Sequence, residues 1–145
     1  MPAEFDKLGI HFLYPENWTL DQEDAVQGDS TVSVYSPDGA SFWTIVLHPI
    51  SSDPHELTAT AVRTMKELYD SLEAEPVSET VAGQAMSGFD MSFYCLDLTN
   101  TASVRSYRTT EATVVILHQA EDRDFPRVEL VFRAITTSLL AANAG

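Results

Sequence analysis

Basic residues are scarce in this sequence: eight Lys and Arg stand against 22 Asp and Glu, which gives a formal net charge of −14 at pH 7. Phosphate backbones and anionic membrane surfaces repel such a chain, so we expect no nucleic acid as a partner. The acids are densest in residues 16–29 and 67–79. This excess favours solubility, and it also favours a protein or a basic peptide as the partner.

Cysteine is nearly absent as well, since Cys95 is the single one. An intrachain disulfide and a cysteine-based zinc site are therefore excluded. The start of the sequence has neither a basic stretch nor an apolar run of the kind that forms a secretory signal, so we expect a cytoplasmic protein. The apolar runs are too short to cross a bilayer, and we expect no membrane insertion.

The motifs that announce common enzymes are missing too. The sequence has no G-x-S-x-G elbow, no phosphate-binding G-x-x-x-x-G-K-[ST] loop, no G-x-G-x-x-G and no H-E-x-x-H. His11, His48 and His118 could still converge on a metal, with Asp90 or Asp97 as a further ligand, but no two of the histidines have a tight ligand spacing. We therefore predict a protein that is not an enzyme, with no catalytic residues, no cofactor and no metal.

The length of 145 residues fits one domain, and we expect it to span 1–145. Alternating apolar residues predict a strand that ends at Pro15 and a hairpin of residues 32–35 with 42–47 around the turn Ser36-Pro37-Asp38-Gly39. The second strand of this hairpin is apolar at both phases, so we expect it to be buried on both faces. Further strands are predicted over 77–82, 84–99, 103–109 and 113–118.

Two helices complete the pattern. Asp53 as N-cap, Pro54 at the first helical position and Glu56 in the first turn predict a helix start. Its apolar stripe is Leu57, Ala61, Met65, Leu68 and Leu72, and the helix should stop before Pro76. A second helix is predicted from about Phe125, with the stripe Val128, Val131, Phe132, Ile135 and Leu139. This order predicts an α+β fold with an antiparallel-rich sheet.

Three segments, in this order, resemble the PsbP-like superfamily. They are the opening strand and turn GIHFLYPENW at 9–18, the strand FWTIVL at 42–47 followed by Asp53-Pro54, and the closing pattern F-x-x-I-x-x-S-L at 132–139. The superfamily includes the photosystem protein PsbP, the Ran-binding Mog proteins, DcrB and the Eag-type secretion chaperones. The resemblance implies a three-layer α/β/α sandwich with a central antiparallel sheet, no shared catalytic residues, and roles in binding and assembly.

The aromatic residues supply the candidate partner surface. Trp and Tyr dominate binding hot spots, so we predict that Trp18, Glu16 and Tyr107 contribute to such a surface. The first hypothesis for function is a non-catalytic binding or assembly module that presents an acidic surface to a protein or peptide. One alternative is a small-molecule or cation-binding domain with a pocket near the strand histidines. Another is a chaperone for a secreted effector, which requires an exposed apolar groove.

Overall fold

A seven-stranded antiparallel sheet with strand order β3-β4-β5-β9-β8-β7-β6 organises the chain. The computed structural model describes residues 2–26 and 29–143. The strands are β1 Pro2–Lys7, β2 Ile10–Pro15, β3 Thr19–Val26, β4 Asp29–Tyr35, β5 Phe42–Pro49, β6 Glu73–Val81, β7 Gln84–Cys95, β8 Leu98–Arg108 and β9 Ala112–Glu121. The helices are α1 Pro54–Leu68 and α2 Phe125–Asn143. Strands β1 and β2 form a separate antiparallel hairpin.

The helices lie on opposite faces of the sheet, which confirms the three-layer α/β/α arrangement. Helix α1 packs against β7, β8 and β9, while α2 packs against β2 and β9. Two apolar cores result, one under α1 around Met91 and Val104 and the other between the sheet, α2 and the β1–β2 hairpin around Trp43 and Phe132. Each helix covers only part of its face, so the α2 side of β6, β7 and β8 retains an open surface.

The hairpin of β4 and β5 is confirmed, with Val34 opposite Trp43 and Tyr35 opposite Phe42. The expected burial of β5 on both faces is only partly met. Trp43 and Ile45 on the α2 face are fully buried, whereas Thr44 and Val46 on the other face are half-buried. The reason is that α1 lies over β7 to β9 and leaves much of β5 uncovered.

Helix α1 begins as predicted. The Asp53 side chain accepts a hydrogen bond from the backbone N–H of His55, and Pro54 occupies the first turn. The predicted stripe is wrong at its end, because α1 stops at Leu68, which is 68% exposed, and Leu72 is buried outside the helix. Tyr69 ends the helix with extended backbone.

The predicted strand over 84–99 is two strands, β7 and β8, joined by a tight turn at Leu96 and Asp97. Both residues have positive φ, 52° and 65°, a conformation usually supplied by Asn-Gly. The turn was not predicted because neither of its residues is glycine. Strands β1 and β3 were not predicted. Strand β6 begins before its predicted start, because Pro76 lies inside the strand instead of preceding it, and an edge strand tolerates a proline.

Helix α2 begins at Phe125 as predicted, and its stripe faces the core. Phe132, Ile135 and Leu139 are at most 1% exposed. Trp43 Nε1 donates to the Thr136 hydroxyl at 2.9 Å, which fixes the helix over β5. One long edge of α2 therefore borders the open part of the sheet.

Candidate functional site

A cavity of about 390 Å³ lies between α2 and the open part of the sheet, and we call it the α2 cavity. Its sheet wall comes from β6 to β9 and its helix wall from α2. The residues that line it are Val77, Glu79, Val81, Met86, Asp90, Thr101, Ser103, Arg105, Ile116, His118, Phe125, Glu129, Phe132, Arg133 and Thr136. The lining combines apolar side chains with three carboxylates, which suits a ligand that has both an apolar and a polar part.

Arg105 on β8 is the centre of the sheet wall, and its side chain is 10% exposed. Its Nε donates to Glu79 Oε1 at 2.8 Å and its Nη2 donates to Asp90 Oδ1 at 2.7 Å. Its Nη1 donates to the carbonyl oxygens of Phe89 and Val104 at 3.0 and 3.1 Å. These bonds fix the guanidinium and hold two carboxylates from neighbouring strands side by side.

Gly88 on β7 pairs directly with Arg105 across the ladder. A Cβ at this position would lie 1.9 Å from the carbonyl oxygen of Val104. The two strands therefore approach more closely here than any other residue type allows, and no side chain at position 88 obstructs Arg105. Gly88 lies within β7, whereas Gly83 shares the β6–β7 turn with Ala82, at φ values of 84° and 50°.

His118 on β9 lies at the floor of the α2 cavity. Its ring stacks on Phe132 with centroids 4.5 Å apart, and its buried Nδ1 has no hydrogen-bond partner among the described residues. The pKa of His118 is lowered to about 4, chiefly by burial and next by the positive charge of Arg105, while Asp90 acts in the opposite direction. His118 is thus neutral at pH 7 and adds no charge to the cavity.

The lowered pKa predicts a stability change with pH. Below the ordinary value of 6.5 the unfolded chain takes up a proton at His118 before the folded chain does, so the contribution of His118 is lost as pH falls from 6.5 towards 4. Urea unfolding of the wild type and of His118→Gln should show that the stability difference between them shrinks by about 2 kcal/mol between about pH 7 and pH 5. An equal difference at both pH values would contradict the burial of a neutral imidazole.

The three residues predicted for a partner surface do not share one. Trp18 is buried, 8% exposed, and meets Phe132 edge-on with ring centroids 6.1 Å apart. Tyr107 is 4% exposed, its hydroxyl has no hydrogen-bond partner among the described residues, and burial raises its pKa. Both rings pack in the core beside α2, and a partner contact that involves them stays a prediction. Glu16 is exposed, and a partner contact there stays a prediction.

The strand histidines do not converge. His11 Nε2 lies 2.9 Å from Glu4 Oε1 on the β1–β2 hairpin, and His48 Nδ1 lies 3.0 Å from Asp29 Oδ1 at the opposite face of the sheet from His118. Asp90 binds Arg105, and Asp97 lies in the exposed β7–β8 turn. Over residues 2–26 and 29–143, no three His, Cys, Asp or Glu side chains are grouped so as to hold a metal ion.

Two other cavities have fewer charged residues in their linings than the α2 cavity. One of about 980 Å³ lies at the end of the sheet between three hairpin turns, with Tyr107 and Leu140 in its lining. Another of about 360 Å³ borders Trp18, and its carboxylate, Asp38, is held by Ser36 at 2.6 Å, a hydrogen bond that lowers its pKa. The α2 cavity is therefore the candidate site, since charged groups from four elements, β6, β7, β8 and α2, line it.

The α2 cavity has three carboxylates and two guanidinium groups in its lining, and this excess of one negative charge favours a cationic ligand. Arg105 bonds to Oε1 of Glu79 and Oδ1 of Asp90, and these side chains are 37% and 51% exposed, so both carboxylates remain accessible to solvent. On the helix wall Glu129 lies 4.0 Å from Arg133, a distance that leaves the pair loosely bound. The sequence did not single out Arg105; the available signal was that Arg105 is the only charged residue between Asp97 and Arg108.

Comparison with known proteins shows the fold. The solution structure of the cyanobacterial PsbP protein CyanoP from Synechocystis sp. PCC 6803 has a TM-score of 0.61 and 20% identity, and the match covers 94% of this chain and 90% of that one. The crystal structure of PA94, a protein of unknown function from Pseudomonas aeruginosa, has a TM-score of 0.54, 11% identity and 95% coverage of both chains. The fold is therefore PsbP-like, as the sequence resemblance indicated.

A third structure is LpqN, which is involved in cell envelope biogenesis of Mycobacterium tuberculosis, with a TM-score of 0.50, 15% identity and coverage of 93% of this chain and 86% of that one. None of the three is described as an enzyme. No protein family and no curated protein matches the sequence itself. In the part of the chain that the structure describes, neither helix has the apolar length needed to span a bilayer.

Proposed function

We propose that this protein is a non-catalytic binding module that receives a basic side chain of a protein or peptide partner in the α2 cavity. The observation that carries the proposal is the pair of carboxylates, Glu79 and Asp90, which both bond to Arg105 in the lining of the α2 cavity. A lysine or arginine side chain is complementary to this lining, because it has a positive end for the carboxylates and an aliphatic stem for the apolar side chains.

The apolar walls explain why a side chain suits the site better than a free cation. Val77, Val81 and Phe125 line the cavity and can cover the stem, while the carboxylates can accept hydrogen bonds from the charged end. Partial burial of this contact strengthens it relative to one at a fully exposed acid. The net charge of −14 adds long-range attraction for a basic partner.

The two alternatives have less support. A metal or small-cation site near the strand histidines would be favoured by a pocket where at least two of them meet a carboxylate, and only His118 lines the α2 cavity. A chaperone for apolar effector helices needs an apolar groove on the sheet. The open part of the sheet instead carries Arg105, Ser103 and Thr101.

A library of random peptides displayed on phage and selected on the immobilised full chain tests the proposal. We expect enrichment of peptides with a lysine or arginine beside apolar residues. A selected peptide should bind Glu79→Gln about tenfold more weakly than the wild type, because a charged acceptor is lost. Fluorescence anisotropy of the labelled peptide measures this change.

Glu23→Gln is the matched control, since Glu23 is exposed on β3 at the other edge of the sheet and the variant has the same net charge as Glu79→Gln. It should bind the selected peptide as the wild type does. Equal losses in both variants would show attraction by net charge alone and would refute a site in the α2 cavity. Selection of acidic or purely apolar peptides would refute it as well.

A further inference from the structure

Three of the eight large apolar side chains that the described residues expose belong to the end of α1 and to the β7–β8 hairpin. These are Leu68 (68% exposed), Leu96 (91%) and Leu98 (36%), and we call them the tip surface; the others are Leu8, Leu13, Ile50, Leu130 and Tyr94, whose ring is on the opposite face of β7 from Phe93. Single exposed leucines are ordinary, but a cluster at one end of a chain with this charge is not.

The end of α1 and the β7–β8 hairpin are fastened together, so the tip surface is formed by two joined elements. The backbone N–H of Tyr94 donates to Ser71 Oγ at 3.0 Å. The ring of Tyr69 stacks on Phe93 with centroids 4.3 Å apart. The apolar side chains at the end of α1 and at the hairpin turn are thereby held in a fixed relation before any partner binds.

Leucine at position 96 is unfavourable for the backbone conformation found there. It lies in a two-residue hairpin turn at a φ of 52°, the left-handed conformation that Asn and Gly adopt readily and leucine does not. Its side chain is almost fully exposed, so no burial compensates the backbone strain. An unfavourable backbone that displays an apolar side chain to solvent points to a role in recognition.

The charge around the tip surface indicates what covers it. Four acids, Glu67, Asp70, Glu73 and Asp97, lie in the segments that border the tip surface, and two bases, Lys66 and Arg123, lie near it. A second copy of this chain that docked through the same surface would bring like acids against these, and an anionic membrane would also meet an excess of negative charge. A partner with basic residues around an apolar centre is complementary.

We propose that the tip surface docks an amphipathic helix of a partner protein, with the apolar stripe of that helix on Leu96 and its neighbours and lysines or arginines on the acidic surround. Leu96 acts as the apolar anchor of this contact. The proposal does not depend on the α2 cavity, because Glu79 and Asp90 contribute to it only as part of the general negative charge.

The test measures binding of a fluorescent synthetic helix of leucine and lysine with one apolar face, using the full chain as wild type and as Leu96→Asn. The substitution keeps the charge and suits the left-handed backbone. We expect Leu96→Asn to bind about tenfold more weakly or worse, as loss of an interface hot spot does, while its thermal midpoint is equal to or above that of the wild type.

Two variants serve as matched controls and should bind as the wild type does. Leu8→Asn changes another leucine at positive φ, 60°, and Leu130→Asn changes a 70% exposed leucine on α2. Unchanged binding by Leu96→Asn, or equal losses in all three variants, would overturn the proposal. Self-association of the wild type that Leu96→Asn abolishes in sedimentation equilibrium, or Leu96-dependent flotation with anionic vesicles, would overturn it in favour of a different occupant.

Discussion

Gly88→Ala is expected to lower the free energy of unfolding by about 4 kcal/mol or to prevent folding, in the range of the most damaging single substitutions. The added methyl would lie 1.9 Å from the carbonyl oxygen and 2.8 Å from the carbonyl carbon of Val104. Both are backbone atoms of β8, so relief requires the β7–β8 ladder to separate. Urea unfolding followed by tryptophan fluorescence measures the change.

Gly39→Ala provides the comparison, because Gly39 has a φ of 75° and open space around its Cβ position. Its substitution should cost only about 1 kcal/mol, from backbone strain alone. In an ordinary strand, alanine would be at least as stable as glycine. If Gly88→Ala costs no more than Gly39→Ala, the close approach of the two strands is not a feature of the folded chain.

Arg105→Met is expected to lower the free energy of unfolding by about 3 kcal/mol. The variant keeps the aliphatic bulk but removes the guanidinium N–H groups that donate to the carbonyl oxygens of Phe89 and Val104, and it leaves Glu79 beside Asp90 without the intervening positive charge. The cost is below that of a fully buried pair, because water can reach both carboxylates. Urea unfolding at about pH 7 measures it.

Arg133→Met is the matched control within the same cavity. Arg133 is 65% exposed and 4.0 Å from Glu129, so its loss should cost less than about 0.5 kcal/mol. Neutralising the carboxylates by Glu79→Gln and Asp90→Asn in the Arg105→Met chain should restore part of the lost stability. Equal stability of Arg105→Met and Arg133→Met would mean that the buried guanidinium does not organise the sheet wall.

The sequence predicted the helices and the β4–β5 hairpin well because their signals are local. Asp53 and Pro54 define a helix start in adjacent residues, and Gly39 meets the requirement of its turn. The β7–β8 turn was not predicted because it lacks a local signal, since Leu96 and Asp97 are not residues that favour a two-residue turn. Strand β3 was missed because its acidic sequence hides the alternation, and its pairing with β4 supplies the structure.

The candidate site was far less predictable. Arg105, Glu79 and Asp90 lie on three strands, and their meeting depends on the register of β6, β7 and β8, which no local pattern encodes. The sequence also could not predict which part of the sheet stays uncovered, since that depends on where α2 packs. Trp18 and Tyr107 drew notice as residue types common in interfaces, but tertiary packing uses both in the core.

The two edges of the main sheet restrict how any partner can attach. Strand β6 carries Pro76, which has no N–H, together with three exposed or half-exposed glutamates, and β3 carries Asp21 and Glu23 before a shift of register. These features oppose the addition of a further strand by backbone hydrogen bonds. A partner of the kind proposed would therefore be recognised through side chains, by charge and shape, and would not join the sheet. The same edges protect the chain from edge-to-edge aggregation.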